Sequence, residues 1–323
     1  MTTLIYCRSG KDIGMGHVVR CRHLADELRL RVDPVIVAAY PDEPGWSYLE
    51  KAGTRRVALG PEGLMRAIEI YRPSRVVDDR PGGRPAPGEM LFDDALLQRM
   101  RDKVRSLVVL VGAGWNITER TKALADLIVY QGVGQPSEAL LAAPGAKILH
   151  GLEYVILGPE YRDIEELDRS GAAVYFGGGV GLDYVSAVLE AMKDIGGTVV
   201  LGPQHDGEHF ESHGFGVSLA PPTMKRILER SRIFVGTMGM VAYEAIACRT
   251  FPVLVSRTED HWRTADRLEE QGAAMNLGTI MGMLPRELGI RVRALLRGKA
   301  LGPPIGFVDA LGAQRVAEEI LAP

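Results

Sequence analysis

The residues best suited to chemistry stand directly behind short apolar runs. The first set is Gly14-Met15-Gly16-His17, with Arg20 a turn further on. Glycines let a backbone turn tightly and approach a ligand closely. A helix starting there offers free N–H groups and the positive end of its dipole. A neutral imidazole in that place can take a proton from a hydroxyl or a water. Asp12 could orient the ring, and Arg8 and Arg20 could balance charge on a substrate. The same residues also fit a glycine turn whose His caps a helix, with Arg20 as a solvated helix residue.

A second set, Gly177-Gly178-Gly179, follows an apolar run and can wrap a phosphate or a sugar. It lacks the GxGxxG spacing and the acid about 20 residues on that a dinucleotide site uses, so nicotinamide binding is disfavoured and a plain tight turn stays open. The third set is Gly236-Thr237-Met238-Gly239-Met240 with Glu244 one turn later. Its helix start suits a diphosphate, and its carboxylate could accept from ribose hydroxyls; an ordinary exposed helix Glu is the alternative. Glu259 and His261 lie in a polar helix start that either lines the same site or caps its own helix. His205-Asp206-Gly207-Glu208-His209 spells the HxxEH pattern of inverted zinc peptidases. Gly202, Pro203 and Gly207 make it a loop, whereas zinc ligation would need one helix face, so no metal site is expected.

These sets need elements to carry them. Apolar runs at Leu4–Cys7, Pro34–Ala39, Arg56–Leu59, Arg75–Asp78, Ser106–Val111 and Asp126–Tyr130 read as strands, with helices at Gly16–Leu30, Gly45–Ala52 and Glu62–Tyr71. The alternation restarts after Pro144, with strands at Val174–Gly177, Gly197–Leu201, Ile233–Val235 and Pro252–Ser256. Helices are expected at Tyr184–Met192, Pro222–Ser231, Val241–Ala247 and His261–Gln271, with a terminal one over Ala310–Leu321. Strands alternating with helices give an α/β chain of mainly parallel sheets. Two domains are expected, residues 1–150 and residues 151–323 with the terminal helix. Ligands of such domains sit beyond the carboxyl ends of the strands.

The composition narrows the function classes. The 323 residues can bury two cores. Lys and Arg total 38 against 41 Asp and Glu, a net charge of −3, which disfavours a nucleic-acid partner. Cys7, Cys21 and Cys248 are scattered without a CxxC pair, which suits a reducing cytoplasm. No run approaches the roughly 18 apolar residues of a membrane span, and the first residues lack a secretory core.

Gly14-x-Gly16-His17-x-x-Arg20-Cys21-x-x-Leu24-Ala25-x-x-Leu28 resembles the amino-terminal signature of the UDP-2,4-diacetamido-2,4,6-trideoxy-beta-L-altropyranose hydrolases of pseudaminic acid biosynthesis. That family is similar to the MurG-type glycosyltransferases of the GT-B fold. Leu157-Gly158-Pro159-Glu160-Tyr161-Arg162 resembles the opening of its second domain, and Phe176-Gly177-Gly178 the first strand and turn there. Gly236 to Glu244, with Gly272-Ala273-Ala274, is similar to the nucleotide-binding stretch of both families. The likeness is closest over residues 14–28, looser over 157–178 and 233–274, and faint over 40–145.

The resemblance implies a GT-B architecture, two Rossmann-like parallel-sheet domains facing a cleft. It implies UDP on the second domain, the sugar toward the first, His17 activating water and Glu244 at the ribose. The substrate partner would be a nucleotide sugar, with UDP released by inverting attack at the anomeric carbon and no cofactor. A MurG-like transferase using an acceptor hydroxyl, or a nucleotide-sugar binding protein without turnover, are the alternatives. Three places depart from the family pattern: Asp78-Asp79-Arg80-Pro81 lacks the aromatic that follows the acid, Val111-Gly112-Ala113-Gly114 lacks an acidic pair, and Gly179-Val180 replaces Ser-Asp. All three bear on the sugar rather than the nucleotide class.

Overall fold

A computed structural model describes the chain except residues 1, 11–12, 33, 61–62, 80–93, 113–116, 134–135, 178, 203–204, 206–209, 299–301 and 323. It divides into two compact units, Met1–Pro159 with Ala310–Pro323, and Glu160–Asp309.

The first unit runs β1 (Thr3–Cys7), α1 (Gly16–Arg29), β2 (Val35–Ala39), α2 (Pro44–Lys51), β3 (Arg56–Ala58), α3 (Gly63–Tyr71), β4 (Arg75–Asp79), α4 (Asp94–Arg101), β5 (Ser106–Val111), α5 (Glu119–Leu124), β6 (Leu127–Gln131), α6 (Glu138–Ala142) and β7 (Lys147–Gly151). The seven strands pair in parallel in the order β3-β2-β1-β4-β5-β6-β7. Strands covered on both faces read as continuous apolar runs, which is why Leu4–Cys7 and Leu107–Val111 were legible. Ile5, Val77 and Val108 serve the core on one face of the sheet, and Leu4, Val76 and Leu107 the core on the other.

The second unit runs β8 (Ala172–Tyr175), α7 (Leu182–Ala191), β9 (Gly197–Leu201), β10 (Gly216–Leu219), α8 (Lys225–Glu229), β11 (Ile233–Thr237), α9 (Met240–Ala247), β12 (Phe251–Ser256), α10 (Glu259–Glu270), β13 (Met275–Thr279) and α11 (Pro285–Gly298). Its six strands are parallel in the order β10-β9-β8-β11-β12-β13, the same winding as the first six strands of the first unit. In each unit the strand order reverses once, between β1 and β4 and between β8 and β11. Those two reversals are where a doubly wound sheet opens a crevice for a ligand.

The edge strands β7, β10 and β13 escape the sequence pattern because they are only half buried and carry no continuous apolar run. The last helix, α12 (Gly312–Leu321), corrects the expected domain assignment. It belongs to the first unit, not the second. Ala313, Val316, Ala317 and Ile320 join the core built on Val18, Leu24 and Leu28 of α1. The Val155 carbonyl stands where a Cβ on residue 312 would be, so a glycine lets the helix start against the chain. Arg315 donates to the Glu153 carbonyl at 2.9 Å, and Lys147 meets Glu319 at 2.6 Å. An apolar helical stripe specifies burial, but not which sheet buries it.

Candidate active site

In the first unit the parallel register sets Cys7 at the end of β1 opposite Asp79 at the end of β4. Beyond β1 the chain folds back on itself. Gly10 and Gly14 exchange backbone hydrogen bonds of 3.3 and 2.6 Å, and Gly14 takes a φ of +80° that favours glycine. α1 then starts at Gly16 with Met15 as its cap residue and no side-chain cap, so His17 is the second helical residue.

His17, Arg20 and Cys21 all converge on Asp79. His17 Nδ1 lies 3.0 Å from Asp79 Oδ1. Arg20 forks onto the carboxylate, Nε donating to Oδ2 at 2.7 Å and Nη2 to Oδ1. The Cys21 thiol donates to Oδ2 at 3.1 Å. Burial alone would raise the Asp79 pKa; the charge of Arg20 first, with the hydrogen bonds from Arg20 and His17, reverses this and holds the carboxyl well below the usual carboxylate range. Burial likewise works against the Arg20 cation, and its pair with Asp79 overcomes that. Burial and a hydrogen bond with Cys7 push the Cys21 thiol up, so it remains a donor.

Arg20 Nη2 also stands 2.9 Å from His17 Nδ1. A guanidinium only donates, so Nδ1 cannot both accept from it and donate to Asp79. The buried ionised carboxylate is the stronger partner, and on this network the proton is assigned to Nδ1. The Nε2 lone pair is thereby left for chemistry. Asp79 is fully buried while the His17 side chain keeps 14% exposure, an accessible base on a buried support. Gly112, just past β5, borders the pair: a Cβ there would lie 3.5 and 3.6 Å from the Arg20 terminal nitrogens and 3.9 Å from His17 Cε1.

Several expected neighbours are placed elsewhere. Arg8 pairs with Glu43, whose other oxygen accepts from the Ser9 backbone at 2.7 Å, and stacks 4.7 Å from the Tyr40 ring centre. Its charge therefore serves the loop that holds β1 to α2. Asp78 is fully buried and, by strand alternation, faces away from Asp79; the acid at the imidazole is the next residue along. Asp12 lies outside the described residues.

In the second unit, Gly177 takes a φ of +71° just beyond β8, and the Thr237 hydroxyl donates to the Phe176 carbonyl at 3.2 Å. The turn and the end of β11 are thus tied together at the strand reversal. Gly239 heads α9 in an extended conformation, with open space where its Cβ would be, followed by Met240 as first helical residue. Gly236 has a different role. It lies within β11, where the Tyr175 carbonyl occupies the place of a Cβ, so it packs the sheet rather than a ligand. Gly178 lies outside the described residues.

Glu244 is not an exposed helix residue: it is 7% exposed. Burial, and after it the charge of Glu160, push its pKa up to about 7, against a hydrogen bond with Tyr161. Thr223 donates to the Tyr161 hydroxyl at 3.2 Å, which directs the Tyr161 proton at Glu244. Glu259 and His261 belong to the start of α10. Thr258 caps that helix by accepting from the His261 backbone N–H at 3.3 Å, and Glu259 meets Arg263 at 3.4 Å.

Asp79 is the acid beside His17 that sequence reasoning did not single out, and Arg257 stands at the head of the polar loop that it placed by the crevice without giving that arginine a role. Asp79 is the second of two adjacent acids, and Arg257 is the first residue after β12. Of the HxxEH segment only His205 is described; His213 lies 3.0 Å from the Ser186 hydroxyl. Among the described residues no three His, Cys, Asp or Glu side chains are grouped to hold a metal ion. No described helix is long and apolar enough to cross a membrane.

No protein-family model matches the chain. It is 25% identical over 301 residues to the spore coat polysaccharide biosynthesis protein SpsG of Bacillus subtilis, covering 85% of this chain and 83% of that protein. Among solved structures it is similar to Acinetobacter baumannii MurG, with a TM-score of 0.65, 13% identity and 99% of both chains covered. The spinosyn rhamnosyltransferase SpnG complexed with thymidine diphosphate gives 0.66 at 14% identity, with 99% of this chain and 96% of that one covered. CalG4, the calicheamicin glycosyltransferase, gives 0.65 at 15% identity over 100% and 99% of the two chains. The fold is GT-B, two parallel-sheet α/β domains of seven and six strands.

Proposed function

We propose that this chain is a nucleotide-sugar-dependent enzyme in which His17, oriented by Asp79, deprotonates a hydroxyl that attacks the anomeric carbon of the sugar. The observation that carries this reading is the 3.0 Å contact between His17 Nδ1 and a carboxylate kept ionised by Arg20. One bond forms from the attacking oxygen to C1, and the bond from C1 to the diphosphate oxygen breaks. The proton goes to His17 Nε2 and the electron pair leaves with the diphosphate. Diphosphate is a weak base, so this reaction lacks the glycosidase's need for a carboxylic acid on the leaving group. Direct displacement inverts C1. The nucleotide is assigned to the second unit, where the Gly177 turn, Thr237 and the start of α9 offer N–H groups and a positive dipole end. Glu244 is the residue proposed to meet the ribose.

Transfer to an acceptor hydroxyl is the favoured reaction. SpnG and CalG4 are named as transferases and SpnG was solved with thymidine diphosphate, while SpsG is named for polysaccharide synthesis. Hydrolysis of a UDP-linked amino-deoxy sugar, as in pseudaminic acid biosynthesis, is the second reading, favoured by the Gly14–Leu28 pattern. The buried free thiols of Cys7, Cys21 and Cys248 suit either enzyme in a reducing cytoplasm. Diphosphate release from a panel of UDP-, CDP- and TDP-sugars, with and without hydroxyl acceptors, tests both. Release only with an acceptor supports transfer, and release in buffer alone supports hydrolysis. No release from any of them leaves a binding protein without turnover and overturns the proposal.

A further inference from the structure

Arg257 lies with its guanidinium against the backbone of Gly179; its Cζ, Nη1 and Nη2 stand where a Cβ on residue 179 would be. The glycine is therefore what admits the cation. Thr237 is in register with Val255 at the end of β12, and Gly236 with Tyr175 at the end of β8. Arg257 thus shares one end of the second sheet with the Gly177 turn, the Thr237 hydroxyl and the start of α9.

The surroundings of this cation differ from those of Arg8 and Arg20 in the first unit. Arg8 has Glu43 and Arg20 has Asp79. Arg257 is half-buried, and among the described residues no carboxylate pairs with it. A charge partly withdrawn from water is costly to hold, and a bound anion offsets that cost. A guanidinium also presents two N–H groups in a fixed fork that matches a pair of phosphoryl oxygens.

Resting on the nucleotide-sugar reading above, we infer that Arg257 is the side chain that holds the phosphates of the nucleotide, seated for that purpose by the missing Cβ of Gly179. The backbone N–H groups of the turn and of α9 supply dipoles, and Arg257 supplies the full charge. Negative charge grows on the diphosphate as the bond to the sugar breaks, so the same contact lowers the barrier to departure.

Calorimetric titration of the full chain with UDP, inorganic pyrophosphate and uridine tests this. Arg257→Ala is expected to weaken UDP about 10- to 100-fold and to abolish pyrophosphate binding, with uridine unchanged. Arg257→Lys keeps the charge without the fork and should fall in between. Gly179→Ala, which displaces the guanidinium without removing it, should mimic Arg257→Ala. Equal loss of UDP and uridine, or undiminished UDP binding by Arg257→Ala, would overturn the assignment while leaving the nucleotide reading in place. A wild-type chain that binds none of UDP, CDP and TDP would take down that reading and the assignment together.

Discussion

His17 and Asp79 stand 62 positions apart in the chain and 3.0 Å apart in space. With the proton assigned to Nδ1 on this contact, Nε2 is the acceptor. His17→Gln, which keeps a polar side chain and loses the base, should lower turnover by at least ~10²-fold. Nucleotide affinity measured by calorimetry should stay as it was, since the nucleotide is assigned to the other unit. Turnover equal to the parent would remove His17 from the mechanism.

Asp79 carries a second prediction, because Arg20 depends on it. Asp79→Asn leaves a buried guanidinium without its counter-charge, a change that typically costs about 3–5 kcal/mol. The folded-state pKa of Asp79 is depressed, so its contribution is present above the unfolded value and fades as pH falls through the folded one. Denaturant unfolding should therefore show a large deficit for Asp79→Asn at pH 7 that narrows toward pH 3. A deficit independent of pH would contradict the ion pair. Activity should fall as well, since an amide can present its N–H to Nδ1 and favour the other tautomer.

Glu244 behaves in the opposite sense. Its pKa is raised to about 7 by burial, so the folded unit prefers it protonated. Stability from this group is full below the unfolded value near 4.5 and is lost as pH rises through 7. Glu244→Gln should match the parent in thermal melting at pH 5 and melt higher at pH 8, by about 2–4 °C for each kcal/mol removed. A variant that melts lower at pH 8 would show that the ionised carboxylate is held by partners instead.

Gly112 offers a steric test. An added Cβ meets Arg20 and His17 at ordinary contact distances, so Gly112→Ala should fold and retain activity within a few-fold. Gly112→Leu would extend over the imidazole and should cut turnover by ~10²-fold with little change in melting temperature. Full activity in the leucine variant would place the reacting atoms on another side of His17.

Much of the fold is legible because strands covered on both faces read as apolar runs and helices begin behind glycines. Within the site, legibility follows chemistry. The pair Gly14 and Gly16 with His17 is readable, since a tight turn and an imidazole leave distinct letters. The choice between Asp78 and Asp79 is not, because adjacent strand residues face opposite ways and only the register with Cys7 decides between them. Gly236 and Gly239 look alike in sequence; one packs inside a strand and the other heads a helix. Arg257 is readable only as part of a polar loop, because a lone arginine after a strand is common and its packing against Gly179, 78 positions earlier, leaves no mark in the sequence.

Because α12 completes the core that α1 begins, the second unit is an insertion into the first. During synthesis, Leu24 and Leu28 must wait for Val316 and Ile320, nearly three hundred residues later, before their surface is sealed. The unit bearing His17 thus matures only after the second unit has been made. A nascent chain arrested before residue 310 would expose an apolar face on the unit that bears His17, a natural target for chaperones.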